Sequence, residues 1–279
     1  MAPDSQPNIV IVGAGFGGVA CFQALKQALD IKKQVRITLI SKENHFLFTP
    51  LLHEVATGAL TFTHVTEPLR SITGPHVNIV LGEVTHTNTD QQSIHVNNHH
   101  AIAYDHLVIA AGAQTNFFNT PGAATHAHTL KTLASAQTIR DAIIRSCEHA
   151  TRLHDAEKRR ELLSFTIVGG GPTGVELAAE MSDFLYGTLA PYYRDFYTPD
   201  DISIHLVHSK EVLLPHFTSF MQEEARRALE RDHVQVHLQR KVAEVAEDHV
   251  ILDNNERIAS HMTLWTAGVS PTQITSHPD

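Results

Sequence analysis

Apolar residues in this chain occur in short unbroken runs that end in glycines or polar turns. The first, Ile9–Val10–Ile11–Val12, has no polar alternation, so it predicts a strand buried on both faces. It enters Gly13–Ala14–Gly15–Phe16–Gly17–Gly18 and then Val19–Leu25, the start of a helix reaching about Asp30. Val35–Ile40 predicts a second strand. Val77–Val84 and Ser93–Val96 predict two more around a polar turn at Asn88–Asp90, and Tyr104–Gly112 a further buried strand that closes on small residues. Pro121–Gly122 marks a crossing into a second domain. Leu133, Ile139, Ile143 and Ile144 give one apolar face to a helix over 131–153, and a charged turn at 155–160 follows.

The opening pattern then returns. Ser164–Val168 runs into Gly169–Gly170–Gly171–Pro172–Thr173–Gly174 and the helix that begins Val175–Glu176–Leu177. Ile202–Val207 predicts the next strand, 219–232 a helix, Val234–Leu238 and His249–Leu252 two strands, and His261–Gly268 a closing strand like the one ending at Gly112. Gly13 and Gly169 are 156 residues apart, and so are Gly112 and Gly268. A G-x-G-x-x-G turn between a strand and a helix is a dinucleotide-binding fingerprint. Its first glycine makes the turn, the second admits a pyrophosphate, and the third lets helix and strand pack closely. Two copies in register predict two nucleotide-binding domains.

Composition narrows the field. The net charge of −9, with no basic cluster, argues against a nucleic-acid partner. No run of about 18 apolar residues is present to span a membrane, and a strand beginning by residue 9 leaves no room for a signal peptide, so the cytoplasm is the default expectation. Cys21 and Cys147 form no C-x-x-C pair, which removes the dithiol of a disulfide reductase, and Cys21 reads as a small core residue. The 21 histidines, among them His99–His100, His126 and His128, show no metal-ligand spacing.

The position that usually carries an acid for the ribose hydroxyls holds Ser41–Lys42–Glu43 in the first copy and His208–Ser209–Lys210 in the second. Uncharged or cationic groups there tolerate a 2′-phosphate that a carboxylate would repel, so NADH and NADPH stay open. The apolar loop Asn44–Gly58, with Phe46, Phe48 and Pro50, either packs a flat heteroaromatic ring or is ordinary core. Two nucleotide sites in one chain imply two cofactors exchanging electrons, commonly flavin with nicotinamide.

GAGFGG, ITLISKENHFLFTPLLHEVATG, YDHLVIAAGAQTN, IVGGGPTGVELAAE and TLWTAGVSP together make the chain resemble the type II NADH dehydrogenases, flavin-dependent NADH:quinone oxidoreductases that pump no protons. The resemblance runs along the whole sequence. It implies an α/β fold of two Rossmann-like domains, an NAD(P)H-binding domain at 121–266 inserted into an FAD-binding domain at 1–120 that resumes at 267–279. It also implies that Gly13, Gly15, Phe16, Gly17 and Gly18 hold the FAD pyrophosphate, with Ser41 and Lys42 near the ribose. Thr49, Pro50, Leu51, Val84, Ala111 and Gly112 would lie near the flavin, and Ala267 and Gly268 at the second cofactor site. Gly169, Gly170, Gly171, Pro172, Thr173, Gly174 and Val175 would hold the nicotinamide nucleotide, with His208 at its ribose. Glu176 would lie at the nicotinamide–flavin contact, or else stabilise the first turn of its helix.

The implied partners are a quinone acceptor and, in full-length relatives, the cytoplasmic face of the inner membrane, with a homodimer as one assembly. Members of the family continue with a glycine–aspartate flavin motif, a quinone pocket and an amphipathic anchor. None of these is in this sequence, so a truncated nucleotide-binding module without turnover is the alternative expectation. Another flavoprotein reductase of the same architecture is a second.

Overall fold

The computed structural model describes residues 6–97 and 100–276; His99, among the dispersed histidines, lies outside them. β1 (Asn8–Val12), the first apolar run, is buried on both faces as its lack of alternation demands. Ile9 and Ile11 join Phe22 of α1 (Phe16–Ala28) and Leu39 in one core. Val10 and Val12 face the opposite way, with Ile40, Ile94 and Val96. β2 (Arg36–Ser41), β3 (Asn78–Leu81), β4 (Val84–Asn88), β5 (Ser93–Val96), β6 (His100–Ala103) and β7 (His106–Ile109) follow. A parallel sheet in the order β3-β2-β1-β7 sets Ile11 opposite both Leu39 and Val108. The antiparallel β4-β5-β6 sheet covers its second face, and Thr275–Ser276 adds a short strand beside β4. The predicted closing strand is shorter than 104–112 and is not fully buried. β7 is the sheet's edge, and Ile109 at its end is 57% exposed.

These elements belong to one compact unit (Met1–Phe48, Val65–Gln114, Ser270–Asp279). The other unit comprises Thr49–His64 and Thr115–Val269. By contacts, then, the segment 49–64 groups apart from the rest of the expected 1–120 span. The reason lies in α2 (Leu52–Thr57), whose Leu52, Val55 and Ala56 are buried at helical spacing and whose polar residues meet side chains of the second unit.

The second unit repeats the plan of the first. β8 (Ala127–Thr129), α3 (Leu133–Ala150), β9 (Ser164–Val168), α4 (Pro172–Ser182), β10 (Ser203–His208), α5 (Ser219–Arg231) and β11 (Val234–Leu238) lead to an antiparallel trio, β12 (Val242–Val245), β13 (His249–Leu252) and β14 (Arg257–Ala259), and then to β15 (Met262–Trp265). The parallel order is β8-β15-β9-β10-β11. The trio packs on this sheet through Val242, Val250 and Ile258 against Val168, Val207 and Trp265. Thr132 caps α3 in a capping box with Ser135. The expected charged turn at 155–160 is instead a short helix, Ala156–Leu162. Asp155 accepts the backbone N–H groups of Glu157 and Lys158 and so starts a helix where charge density alone suggested a loop.

Candidate functional site

Both glycine turns have one geometry. Gly13 and Gly169 take φ of +98° and +121°, a region that L side chains avoid. Their N–H groups donate to Ile40 O (2.8 Å) and Val207 O (2.9 Å), which locks each turn to the neighbouring strand. A Cβ on Gly18 would fall on the carbonyl oxygen of Gly13, and one on Gly174 on that of Gly169, so each helix approaches its own turn as only glycine allows. The N-caps of α1 and α4 are Gly15 and Gly171. Neither helix end has a side-chain cap, and a Cβ on either glycine would meet nothing within 4 Å. Orphan N–H groups therefore face open space at the positive end of each helix dipole, an arrangement that fits a diphosphate. Pro172 occupies the first turn of α4, where its missing N–H costs no hydrogen bond.

In the first unit, Phe16 lies edge-on to Phe46 (5.0 Å) and Phe48 (5.6 Å), with Phe16 47% and Phe48 39% exposed. The loop Asn44–Gly58 thus divides: its aromatic start is a partly open cluster at the turn, while Leu52, Val55 and Ala56 are buried core. A Cβ on Gly17 would lie at ordinary contact distance from the Ala110 side chain. Ser41 Oγ accepts the Glu43 N–H at 3.3 Å, and Lys42 pairs with Glu83 at 2.7 Å. Val84 begins β4 half-buried; Ala111 and Gly112 follow β7, Gly112 at φ +74°.

In the second unit, Thr49–Leu51 is a single 3-10 turn leading into α2. Glu176 does not stand in the first turn of α4. With Gly171 as N-cap it lies in the second, beyond the range over which the helix dipole acts strongly. Its carboxylate instead meets the buried His53 of α2, Nδ1 to Oε2 3.7 Å, while the Glu176 side chain stays 50% exposed. One turn along both helices, Thr57 Oγ1 donates to Glu180 Oε2 at 3.3 Å. Both polar contacts lie between α2 and α4, and Thr57 Oγ1 also reaches His53 O and Glu54 O. Sequence reasoning missed His53; its signal was a histidine following the apolar pair Leu51–Leu52, four residues before a threonine. Thr173 is exposed on the outer side of α4 and Val175 half-buried.

His208 does something different from the expected ribose contact. Its Nδ1 accepts the Gly170 N–H at 3.0 Å and its ring lies against Gly170, so it braces the glycine turn from beneath. Burial, reinforced by Lys210, lowers its pKa and keeps it in the neutral form that can accept. Ala267 and Gly268 follow β15. The Trp265 indole N–H donates to Asn116 O and Ala267 O, and Gly268, at φ +69°, lies against the Phe118 ring.

The family profile described as pyridine nucleotide-disulphide oxidoreductase matches residues 7–277. The chain belongs to the pyridine nucleotide-disulphide oxidoreductase family. Within it, the chain is 31% identical to the type II NADH:quinone oxidoreductase Ndh of Mycobacterium tuberculosis, over 98% of this chain and 60% of that protein. It is 34% identical to a probable NADH dehydrogenase of Dictyostelium discoideum, over 94% and 58%. The solved structure of NDH2 from Plasmodium falciparum in complex with NADH superposes with a TM-score of 0.88 at 29% identity, covering 96% of this chain and 56% of that one. The chain therefore spans a little more than half the length of these relatives. The duplicated strand–turn–helix and its two parallel sheets are the architecture expected from the sequence.

Proposed function

We propose that the chain works as an FAD-dependent NAD(P)H:quinone oxidoreductase that pumps no protons. The observation that carries this reading is the pair of uncapped, glycine-lined helix N-termini 156 residues apart, each on its own parallel sheet, which suits one diphosphate cofactor per unit. The bound cofactors supply the redox chemistry, a hydride passing from the reduced nicotinamide to the flavin and electrons leaving to a quinone.

What the chain contributes is binding and orientation. Gly13 to Gly18 hold the FAD diphosphate, Ser41 reaches its ribose, and Phe16, Phe46 and Phe48 give an apolar wall beside the turn. Gly169 to Gly174 hold the nicotinamide nucleotide. Glu176, half-exposed and held by His53, is the carboxylate we assign to the nicotinamide end, with His53 as its positioning residue. The names of the relatives, NADH:quinone oxidoreductase and NADH dehydrogenase, support the reading of the activity.

The visible spectrum of the purified chain, supplied with FAD and titrated without oxygen, tests the reading. A flavin band that bleaches on adding NADH or NADPH is the expected result. A protein that stays colourless after FAD is supplied overturns it, leaving a nucleotide-binding module without turnover. For Glu176, the Glu176→Gln variant is expected to lose roughly tenfold in kcat/KM through loss of one charged contact. Unchanged turnover would remove Glu176 from the site.

A further inference from the structure

The cleft beside the C-terminal end of β10 carries charge of mostly one sign. It has a volume of about 650 Å³ and is lined by Gly169 of the glycine turn, Ser209 and Lys210 from the strand end, Arg240 and Lys241 from the loop after β11, and a single carboxylate, Asp253. Backbone hydrogen bonds hold this arrangement. Gln239 N–H donates to Lys210 O at 2.9 Å, Arg240 N–H to His208 O at 3.1 Å, and Asp253 N–H to Lys241 O at 2.8 Å. Gln239, at φ +55°, makes the sharp turn that brings Arg240 back to the strand end.

A dinucleotide whose diphosphate sits on the N-terminus of α4 places its adenosine ribose at this strand end. A site for an unmodified ribose supplies a carboxylate there to accept from the hydroxyls. None stands at 208–210, and His208 Nδ1 is committed to the Gly170 N–H while its Nε2 has no hydrogen-bond partner among the described residues. What remains in the cleft is a hydroxyl, the single carboxylate Asp253 and three cations, and none of the cations forms a salt bridge with a carboxylate among the described residues. Neutral hydroxyls give such a group no counter-charge, whereas a phosphate monoester, with a charge of about −1.5 to −2 at pH 7 and three acceptor oxygens, does.

We propose that this cleft selects the 2′-phosphorylated nicotinamide dinucleotide, NADPH, over NADH, with Lys210, Arg240 and Lys241 as the residues that read the phosphate. The inference rests on the reading of the second unit as the nicotinamide nucleotide site. Its electrostatic part weakens as ionic strength rises.

Trp265, the only tryptophan of the chain, lines the same cleft, so its fluorescence reports binding without need of turnover. The experiment titrates the FAD-supplied full chain with NADPH, NADH and 2′,5′-ADP at low and high salt. The expected result is NADPH binding at least about tenfold tighter than NADH, with 2′,5′-ADP competing and added salt narrowing the gap. Lys210→Gln and Arg240→Gln are each expected to lower the NADPH:NADH affinity ratio by roughly tenfold to a hundredfold, the range for a hydrogen bond to a charged group. NADH binding as tightly as NADPH overturns the inference and leaves the nicotinamide site standing. Binding of neither nucleotide, by fluorescence and by calorimetry, overturns both.

Discussion

The two glycine turns are near copies, yet the strand ends beside them are not. Gly13 and Gly169, Gly15 and Gly171, Gly18 and Gly174 serve the same three purposes with the same backbone. At the first strand end, Lys42 is neutralised by Glu83 at 2.7 Å; at the second, Lys210 faces Arg240 and Lys241 in one cleft. The histidines divide as well. Those whose titration is displaced, His128, His205, His208, His237 and His261, all lie in the second unit, and burial is the leading cause for each. A duplicated fold thus keeps the backbone of the glycine turn and varies the charge at the strand end beside it.

The largest effect should come from breaking one turn and sparing the other. Gly18→Ala drives a methyl into the Gly13 carbonyl, and Gly174→Ala does the same to Gly169. Each should cost roughly 1–3 kcal/mol of stability from overpacking. In a titration, Gly18→Ala should lose flavin while Trp265 still reports nucleotide, and Gly174→Ala should do the reverse. Simultaneous loss of both ligands in either variant would mean that the two turns are not independent.

Acid should separate the units next. His205 of β10 is held down to about 4, by burial first and the neighbouring His237 second, with Glu256 opposing. Its folded pKa lies below its unfolded value, so the unfolded chain binds the extra proton and stability falls as pH drops from about 6.5 toward 4. Between pH 7.5 and 5 this amounts to about 2 kcal/mol from His205 alone. Urea unfolding of the second unit, followed by Trp265, should show that loss, and His205→Asn should reduce it.

Smaller effects test the braces of each strand end. His208→Phe keeps a ring beneath Gly170 but orphans its N–H, at a cost of about 1–2 kcal/mol in urea unfolding and weaker nucleotide binding. Glu83→Gln frees Lys42 and makes the first strand end more like the second. Both partners are largely exposed, so chemical denaturation should register less than about 1 kcal/mol.

The features legible in the sequence were those that local chemistry dictates. An all-apolar strand entering a glycine turn needs no distant partner to be recognised, and the 156-residue repeat made the second copy visible. What escaped depends on residues that the fold brings together across the chain. Lys210 and Arg240 line one cleft because β10 and β11 pair in parallel, which sets His208 opposite Leu238. His53 meets Glu176 only once α2 lies along α4. The helix Ala156–Leu162 was hidden for another reason: charged residues suit a solvated helix as well as a turn, and the Asp155 cap decided between them.

The strand Thr275–Ser276 beside His86–Thr87 gives the chain an order of assembly. On the ribosome, the first unit has its parallel sheet once His106–Ile109 emerges, and β4, β5 and β6 of its second sheet are made before then, but the short strand Thr275–Ser276 comes only after the entire second unit. Closing that gap of nearly 190 residues carries a large loop entropy, so this strand is the last addition to the first unit.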